Sequence, residues 1–344
     1  MILVHGAGAI GQYVGGRLAQ AGARVLLVGR PAAMEPIRRQ GLSVATLGGA
    51  FTPAGSTLDV ATRLPVDLRL ESTPDAARFG QSAALELVLL TVKCGATVKA
   101  AAELAAVLPA GTPVLSLQNG VDNVRVLQSK APMLTPLAGM VPYNVVIDAP
   151  AQVRQATDGM LMVERHPATE ALAALARRGG LALAVRDDIA EVQWGKLLLN
   201  LNNPVNALSG LPLRTQLLDA GYRRVLAGLI AEALGVLTVA GIRPARVTPL
   251  PPTWLPSLLR LPTPLFRLLA ARMLKIAPEA RSSMQDDRRA GRATEIDALC
   301  GAIIRLADRH RLPSPQNTAM RRLVETLPSG RSLAAAELAA ALEP

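Results

Sequence analysis

The chain reads as a two-part α/β protein, a doubly wound parallel sheet over residues 1–186 followed by an all-helical domain over 187–344. Three observations predict this. An apolar strand, Ile2 to His5, runs straight into Gly6-Ala7-Gly8-Ala9-Ile10-Gly11, a glycine spacing that opens a helix. Apolar strands then alternate with helical stretches, which is the signature of a parallel sheet. From Asp187 onward the strand signal stops and only helical periodicity remains.

The elements follow in order. A second strand spans Arg24 to Val28, a short helix Pro31 to Gly41, and residues 42–82 alternate Thr, Ser, Gly and short apolar pieces as excursion strands and loops. Leu85 to Val92 is a strongly apolar strand, followed by Lys93-Cys94-Gly95 and a helix over Ala96 to Leu108. Thr112 to Leu117 is the next strand; it ends in Gln118-Asn119-Gly120, with a helix from Asp122. Met133 to Met140, Gly159 to Glu164 and a short strand at 181–185 complete the sheet, with Thr169 to Arg178 helical. In the second half Ala190 to Leu201, Gln216 to Gly241, Pro264 to Lys275 and Ser283 to His310 read as helices, and Leu333 to Leu342 is an Ala-rich tail helix. A Pro-rich insertion at 243–280 reads as a local helical hairpin over the core, with a lid or membrane-surface element as the alternative.

The glycine turn has a chemical purpose in this setting. Gly6 makes a tight turn, Gly8 lets the backbone approach a pyrophosphate, and Gly11 lets the helix pack close on the sheet. Ala7, Ala9 and Ile10 complete the same loop, and the helix start offers unpaired N–H groups to phosphate. This is a Rossmann-type dinucleotide site. At the end of the second strand, where an acidic residue would hold the ribose hydroxyls of NAD, the chain has Gly29-Arg30 and no acid until Glu35. A guanidinium there pairs with a 2′-phosphate, so NADPH is favoured over NADH, unless Arg30 is simply a solvated surface residue. Lys93 and Asn119 fall at other strand ends of the same sheet, where ligands bind in such folds; their ordinary roles would be a loop Lys and a turn Asn.

Composition sets the bounds. Half the residues are apolar but only 2% are aromatic, so the cores are built from Leu, Ala and Val. The formal charge of +11 suits an anionic ligand, yet the basic residues are scattered and have almost no aromatics to stack on bases, which argues against nucleic acid. Cys94 and Cys300 are far apart and the three histidines make no cluster, which predicts a reduced, cytoplasmic chain with no metal. The start lacks a basic leader, predicting no signal peptide, and the run Val225 to Ile242 is broken by Glu232 and glycines, predicting a buried helix and no membrane span. The apolar helices leave room for a homodimer.

Two constellations in the helical half carry candidate chemistry. In Trp194-Gly195-Lys196-Leu-Leu-Leu-Asn200, Lys196 and Asn200 share a helix face, and Asn202, Asn203 and Asn206 follow within a Leu-rich run. Buried Asn is costly without partners, so these residues either satisfy backbone in the core or face a ligand. In Arg281 to Asp297, Ser283 suits the cap of a helix that carries Asp286 and Asp287 in its first turn. Glu295 would then lie on the same helix about 120° around from Ser283, or serve as a surface partner of Arg288 or Arg292.

Taken together, these motifs resemble those of the ketopantoate reductase (2-dehydropantoate 2-reductase) family, NADPH-dependent enzymes of pantothenate biosynthesis. The resemblance runs over nearly the whole chain: GAGAIG at 6–11, Arg30, TVK at 91–93, QNG at 118–120, WGKLLLN at 194–200, and SSMxxDxxxGRxTEID at 282–297. The last is the most specific, since it matches position by position in a region with no generic nucleotide-binding role. The resemblance implies that Lys196 is the general acid and that Glu295 and Ser283 lie in the substrate site, with Glu295 also beside the cofactor. It further implies that Asn119 and Asn200 hold cofactor or substrate and that Lys93 lies near the nicotinamide.

The chain departs from the family pattern in two places. The family's second Asn, followed by Pro, comes about eight residues after the lysine; here Asn203 precedes Pro204 one position early, so Asn203 is the candidate beside Asn202 and Asn206. The insertion at 243–280 is also longer and richer in proline, which leaves the identity of the 2-oxo acid substrate open. The chemistry expected is hydride delivery to a keto carbon while a lysine ammonium protonates the oxygen, in a cleft between the domains. The rival readings are a paralogue acting on another 2-oxo acid and a non-catalytic NADPH-binding protein.

Overall fold

The computed structural model describes residues 1–64, 85–271, 274 and 277–343. The later part of the 42–82 excursion and the end of the helix expected over Pro264 to Lys275 lie outside them. The chain divides into two compact units, Met1–Ala190 and Glu191–Pro344.

Among the described residues twelve strands build the first unit: β1 (Ile2–His5), β2 (Val25–Val28), β3 (Ser43–Ala45), β4 (Thr52–Pro53), β5 (Leu58–Ala61), β6 (Leu87–Leu90), β7 (Pro113–Ser116), β8 (Thr135–Met140), β9 (Val145–Ala149), β10 (Gln152–Gln155), β11 (Leu161–Glu164) and β12 (Leu183–Arg186). Eight form one sheet in the order β12-β11-β8-β7-β6-β1-β2-β5. From β8 to β5 every pair is parallel, as the alternation of strands and helices predicts. The pairing of β8 with β11 is antiparallel, so the sheet is mixed and not wholly parallel.

The strand residues alternate between two cores. Ile2, Val4, Val25 and Leu27 face one core with Tyr13, Val14 and Leu18 of helix Ala9–Gln20. Leu3, Leu26, Val88 and Leu90 face the other with Ala100, Ala101 and Leu104 of helix Thr97–Val107. Both faces are covered, which is why these strands read as unbroken apolar runs and not as alternating ones.

A second sheet, β4-β3-β10-β9, is a feature the sequence reading missed in its C-terminal half. Its strands are short, and β9 (VVIDA) leaves its apolar residues Val146 and Ile147 exposed, so it lacks the alternation of a half-buried strand. It packs on the outer side of helix Ala9–Gln20, where the Tyr13 hydroxyl donates to Gln155 Oε1 at 2.7 Å and the Tyr13 and Tyr143 rings meet edge to face.

The described part of the second unit is helical. Its centre is helix Ala220–Val239, apolar nearly all round and packed against helices Leu255–Leu259, Ile296–Arg309, Pro315–Thr326 and Ala335–Ala340. Glu232, the one carboxylate in that run, caps a neighbour: its two oxygens accept from Gln316 N and Asn317 N at 2.8 and 2.9 Å. Among the described residues no helix is long and apolar enough to cross a membrane. The Pro-rich insertion contributes two short helices, Leu255–Leu259 and Thr263–Leu269, which bury Leu255, Leu258, Leu259 and Phe266. Arg223, fully buried, ties the insertion down. Its Nε donates to Leu259 O, Nη1 to Leu217 O and Leu218 O, and Nη2 to Leu261 O and Thr263 Oγ1, all within 3.1 Å, while its guanidinium lies 4.4 Å from the Phe266 ring centre.

Three expected boundaries are corrected here. The helix read over Gln216 to Gly241 is two, Leu213–Leu218 and Ala220–Val239, because Asp219 caps the second by accepting from Gly221 N. The helix read over Ser283 to His310 is also two, Ser283–Arg289 and Ile296–Arg309. Gly291, at φ +62°, closes the first: its N–H reaches Arg288 O and the Arg292 N–H reaches Asp287 O, a Schellman ending. The cap of that helix is Ser282, whose hydroxyl accepts from Gln285 N at 3.2 Å, and not Ser283.

Candidate active site

In the first unit the β1 end, the glycine turn and the ends of the neighbouring strands form a pocket of about 900 Å³. Strand β1 lies between β2 and β6, the switch point at which ligands bind in a doubly wound sheet. Gly6 takes φ +121°, and a Cβ there would sit 2.5 Å from Val92 N, so no other residue fits the turn. At Gly11 a Cβ would collide with the Gly6 carbonyl and lie 2.6 Å from Thr91 Oγ1, which is the close helix packing the motif implies. At Gly8 a Cβ would meet nothing within 4 Å; that position opens onto the pocket.

Two polar side chains fix the loop. Thr91 Oγ1 donates to Gly6 O at 2.6 Å, and the buried Gln12 donates through Nε2 to Ala7 O at 2.9 Å. Helix Ala9–Gln20 begins at Gly8 with no capping side chain and no acid in its first turn, so its first N–H groups remain available to an anion.

Of the residues expected to hold a dinucleotide, Gly6, Ala7, Gly8, Arg30 and Lys93 line this pocket. Ala9, Ile10 and Gly11 start the helix behind it, and Asn119 lies outside the lining. The Asn119 carbonyl accepts from Cys94 Sγ and Asn123 Nδ2, which ties the β7 end to the segment after Lys93.

Arg63 is a residue the sequence reading missed. Val28 pairs with Ala61 in the parallel register of β2 and β5, and Gly29 N donates to Ala61 O at 3.0 Å. Arg30 and Arg63 each lie two residues past that rung, both exposed and both lining the pocket. The signal was the same as for Arg30, an arginine just past a strand end, but β5 is too polar for its end to be located by sequence. Among the described residues Arg30, Arg63, Lys93 and Lys99 face the pocket together with a single carboxylate, Glu103. Glu103 lies 3.4 Å from His5 Nε2 and 3.8 Å from Lys99 Nζ. Burial holds the His5 imidazole below its usual pKa, against the opposing pull of Glu103.

In the second unit the sequence-distant motifs come together. Lys196 lies on helix Ile189–Asn200, half-buried beside the buried Trp194 and Leu197. Desolvation pushes its ammonium down to about 8, and the nearby Glu295 carboxylate pulls the other way. Glu295 stands at the start of helix Ile296–Arg309 and makes no capping hydrogen bond there. Of the arginines near it in sequence, Arg292 bonds Asp287 at 2.9 Å, and Arg288 donates to Val324 O and Pro328 O.

The Asn run turns into a separate helix, Asn202–Ser209, packed on Ser283–Arg289. Asn206 is fully buried and spoken for: Nδ2 donates to Leu211 O, and Oδ1 accepts from Ser282 N, both at 2.9 Å. The Ser282 hydroxyl donates to Asn203 O at 3.3 Å. These bonds place Ser283, exposed, next to the helix that begins with Asn202 and Asn203. Asn200 and Asn203 are half-buried.

A glycine-turn cradle with cationic walls on a doubly wound sheet is the dinucleotide-binding class of site, and the helical unit sets Lys196 near the Glu295 carboxylate. Comparison with known proteins narrows the class. The family profile described as ketopantoate reductase PanE/ApbA matches residues 2–168, and that of its C-terminal domain matches 188–327. The chain belongs to the ketopantoate reductase family.

Curated relatives carry the same name. A 2-dehydropantoate 2-reductase of Mesorhizobium japonicum is 28% identical over 95% of this chain and 97% of its own length. One from Pyrococcus horikoshii is 26% identical over 94% and 96%. Among solved structures, a PanE/ApbA family ketopantoate reductase from Ralstonia eutropha superposes with a TM-score of 0.76 at 28% identity, covering 94% of this chain and 97% of that one. A D-mandelate dehydrogenase solved with NADH and anilino(oxo)acetate shares the fold at TM-score 0.75 and 20% identity, over 99% of both chains.

Proposed function

We propose that this enzyme reduces 2-dehydropantoate to (R)-pantoate with NADPH, using Lys196 as the general acid. The observation that carries the reading is Lys196 itself, a half-buried ammonium brought to about 8 beside Glu295, on a chain whose other unit offers a dinucleotide cradle. The names of its relatives support the substrate. The cradle fits a reduced nicotinamide dinucleotide: an open Gly8, an uncapped helix start and four cationic side chains suit a diphosphate and a further phosphate. The Gly6–Gly11 turn would hold the diphosphate, Arg30 and Arg63 the 2′-phosphate, and Lys93 with Asn119 the nicotinamide end. When bound, this cofactor supplies the hydride that reaches the keto carbon.

The rest is done by the chain. As the carbonyl is reduced its oxygen gains negative charge, and Lys196 Nζ stabilises that charge and transfers its proton to give the hydroxyl. Glu295 favours the protonated amine before the reaction and its recharging afterwards. Asn200, Asn203 and the exposed hydroxyl of Ser283 are the donors for the substrate carboxylate. The test follows NADPH absorbance with ketopantoate and a panel of other 2-oxo acids, and repeats it with NADH. Turnover selective for ketopantoate and NADPH is expected. Turnover with another oxo acid alone would move the substrate, and tight NADPH binding without turnover would overturn the catalytic reading.

A further inference from the structure

One carboxylate in the cofactor pocket is not used by the chemistry above. The pocket wall made by Ala96 and helix Thr97–Val107 presents Ala96, Ala100, Ala106 and Val107 beside Lys99, and Val28 and Leu64 stand among the sheet-side lining. Within it stands Glu103, the only acid among the described lining residues. Its side chain is 42% exposed, so the carboxylate still faces the pocket while His5 and Lys99 hold its two oxygens.

As a surface pair, Lys99–Glu103 contributes little to stability. An acid here also repels an anionic ligand, so its presence calls for a donor. His5 is the unusual partner. It is the last residue of β1, directly before the glycine turn, buried, and its Nδ1 has no hydrogen-bond partner among the described residues. Among the described residues its side chain's polar contact is with Glu103, which makes it a positioning group for that carboxylate. Apolar walls with one fixed acceptor suit a flat heteroaromatic ring that carries an amino group.

We propose that Glu103, positioned by His5 and Lys99, accepts a hydrogen bond from the exocyclic amino group of the cofactor's adenine, so that the pocket selects aminopurine over oxopurine dinucleotides. This rests on the nicotinamide dinucleotide reading above. A purine with an oxo group in that position turns an acceptor toward the carboxylate, and a site built to pair with a donor rejects an analogue that lacks it.

The experiment titrates the whole protein with NADPH and with its hypoxanthine analogue, deamino-NADPH, following nicotinamide fluorescence without substrate. Wild type is expected to bind NADPH at least about tenfold more tightly than the analogue, the size of one charge-assisted hydrogen bond. In Glu103→Ala the two affinities converge to within about twofold, with most of the change on the NADPH side. Glu103→Gln, which keeps the shape and an acceptor oxygen, retains part of the preference. His5→Leu, which preserves the apolar burial, lowers the NADPH to deamino-NADPH ratio, a quantity that a merely structural role for His5 leaves unmoved. Equal binding of the two dinucleotides by wild type, or an unchanged ratio in Glu103→Ala, overturns the proposal. Failure to bind either one refutes it together with the dinucleotide reading, whereas tight but unselective binding refutes it alone.

Discussion

At Lys196 the burial that lowers the ammonium's pKa also costs stability. Its ammonium belongs near 10.5 in the unfolded chain and near 8 in the folded one. Between those values the unfolded state holds the extra proton, so stability rises with pH across that window and the full penalty applies below it. Lys196→Met is therefore expected to abolish reduction yet raise stability at neutral pH by about 1–2 kcal/mol, after allowance for screening at a half-buried site. Thermal melts at pH 7 and pH 10 check this, since the gain should shrink at the higher value. The same ammonium predicts a reduction rate that is flat at neutral pH and falls above about 8 as the acid is lost. A profile of kcat/KM with no inflection in that range would remove Lys196 from the acid's role. At the other pole of the chemistry, Arg30→Ala and Arg63→Ala should each weaken NADPH by about tenfold or more while leaving NADH nearly unchanged. Equal losses for both cofactors would assign the arginines elsewhere. Residues of this kind were unevenly legible. Lys196, Glu295 and Arg30 stand inside recognisable motifs, but the partner arginine emerged only from strand register.

Elements were legible where local physics leaves one solution. The strand–GAGAIG–helix unit is such a case, because the Gly6 dihedral and the Gly11 contact admit no side chain. Gly11→Ala should therefore misplace the turn and cost at least tenfold in dinucleotide affinity, measurable by fluorescence titration, with the helical unit's fold intact. Elements failed where one residue decides between continuing and stopping. A glycine in a helical stretch costs only about 1 kcal/mol if the helix continues, so Gly291 could not announce that it ends one. Ser282 and Ser283 are both chemically suited to capping, and only the dihedral of Ser282 separates them. The burial of Asn206 was equally invisible, as an Asn in a Leu-rich run satisfies either reading. Asn206→Leu should strand the Ser282 N–H and cost about 1–3 kcal/mol, read from chemical denaturation.

For the molecule as a whole, the division into a sheet unit and a helical unit was plain in the pattern, since a loss of strand signal over some 150 residues has few other readings. The second small sheet was not. Its strands pair across distant sequence, β3 with β10, and the apolar partners they cover belong to helix Ala9–Gln20. The charge of the whole chain has its own consequence. With +11 overall and four cations around the pocket, association with an anionic cofactor should slow as salt is added, while dissociation changes much less. Stopped-flow binding at low and high ionic strength separates the two.

Arg223 makes the Pro-rich insertion an all-or-none passenger. Five donors on one rigid fork reach carbonyls and a hydroxyl from two stretches of chain about forty residues apart, and every acceptor is neutral. Asp219 acts on this guanidinium only through space, and none of the five bonds goes to an acid that salt could screen or pH titrate. Such a latch closes when the last donor is seated, and it fails as a unit when one geometry is lost. Arg223→Lys, with its charge kept and its fork removed, should leave residues 255–269 open to limited proteolysis under conditions where the sheet unit resists.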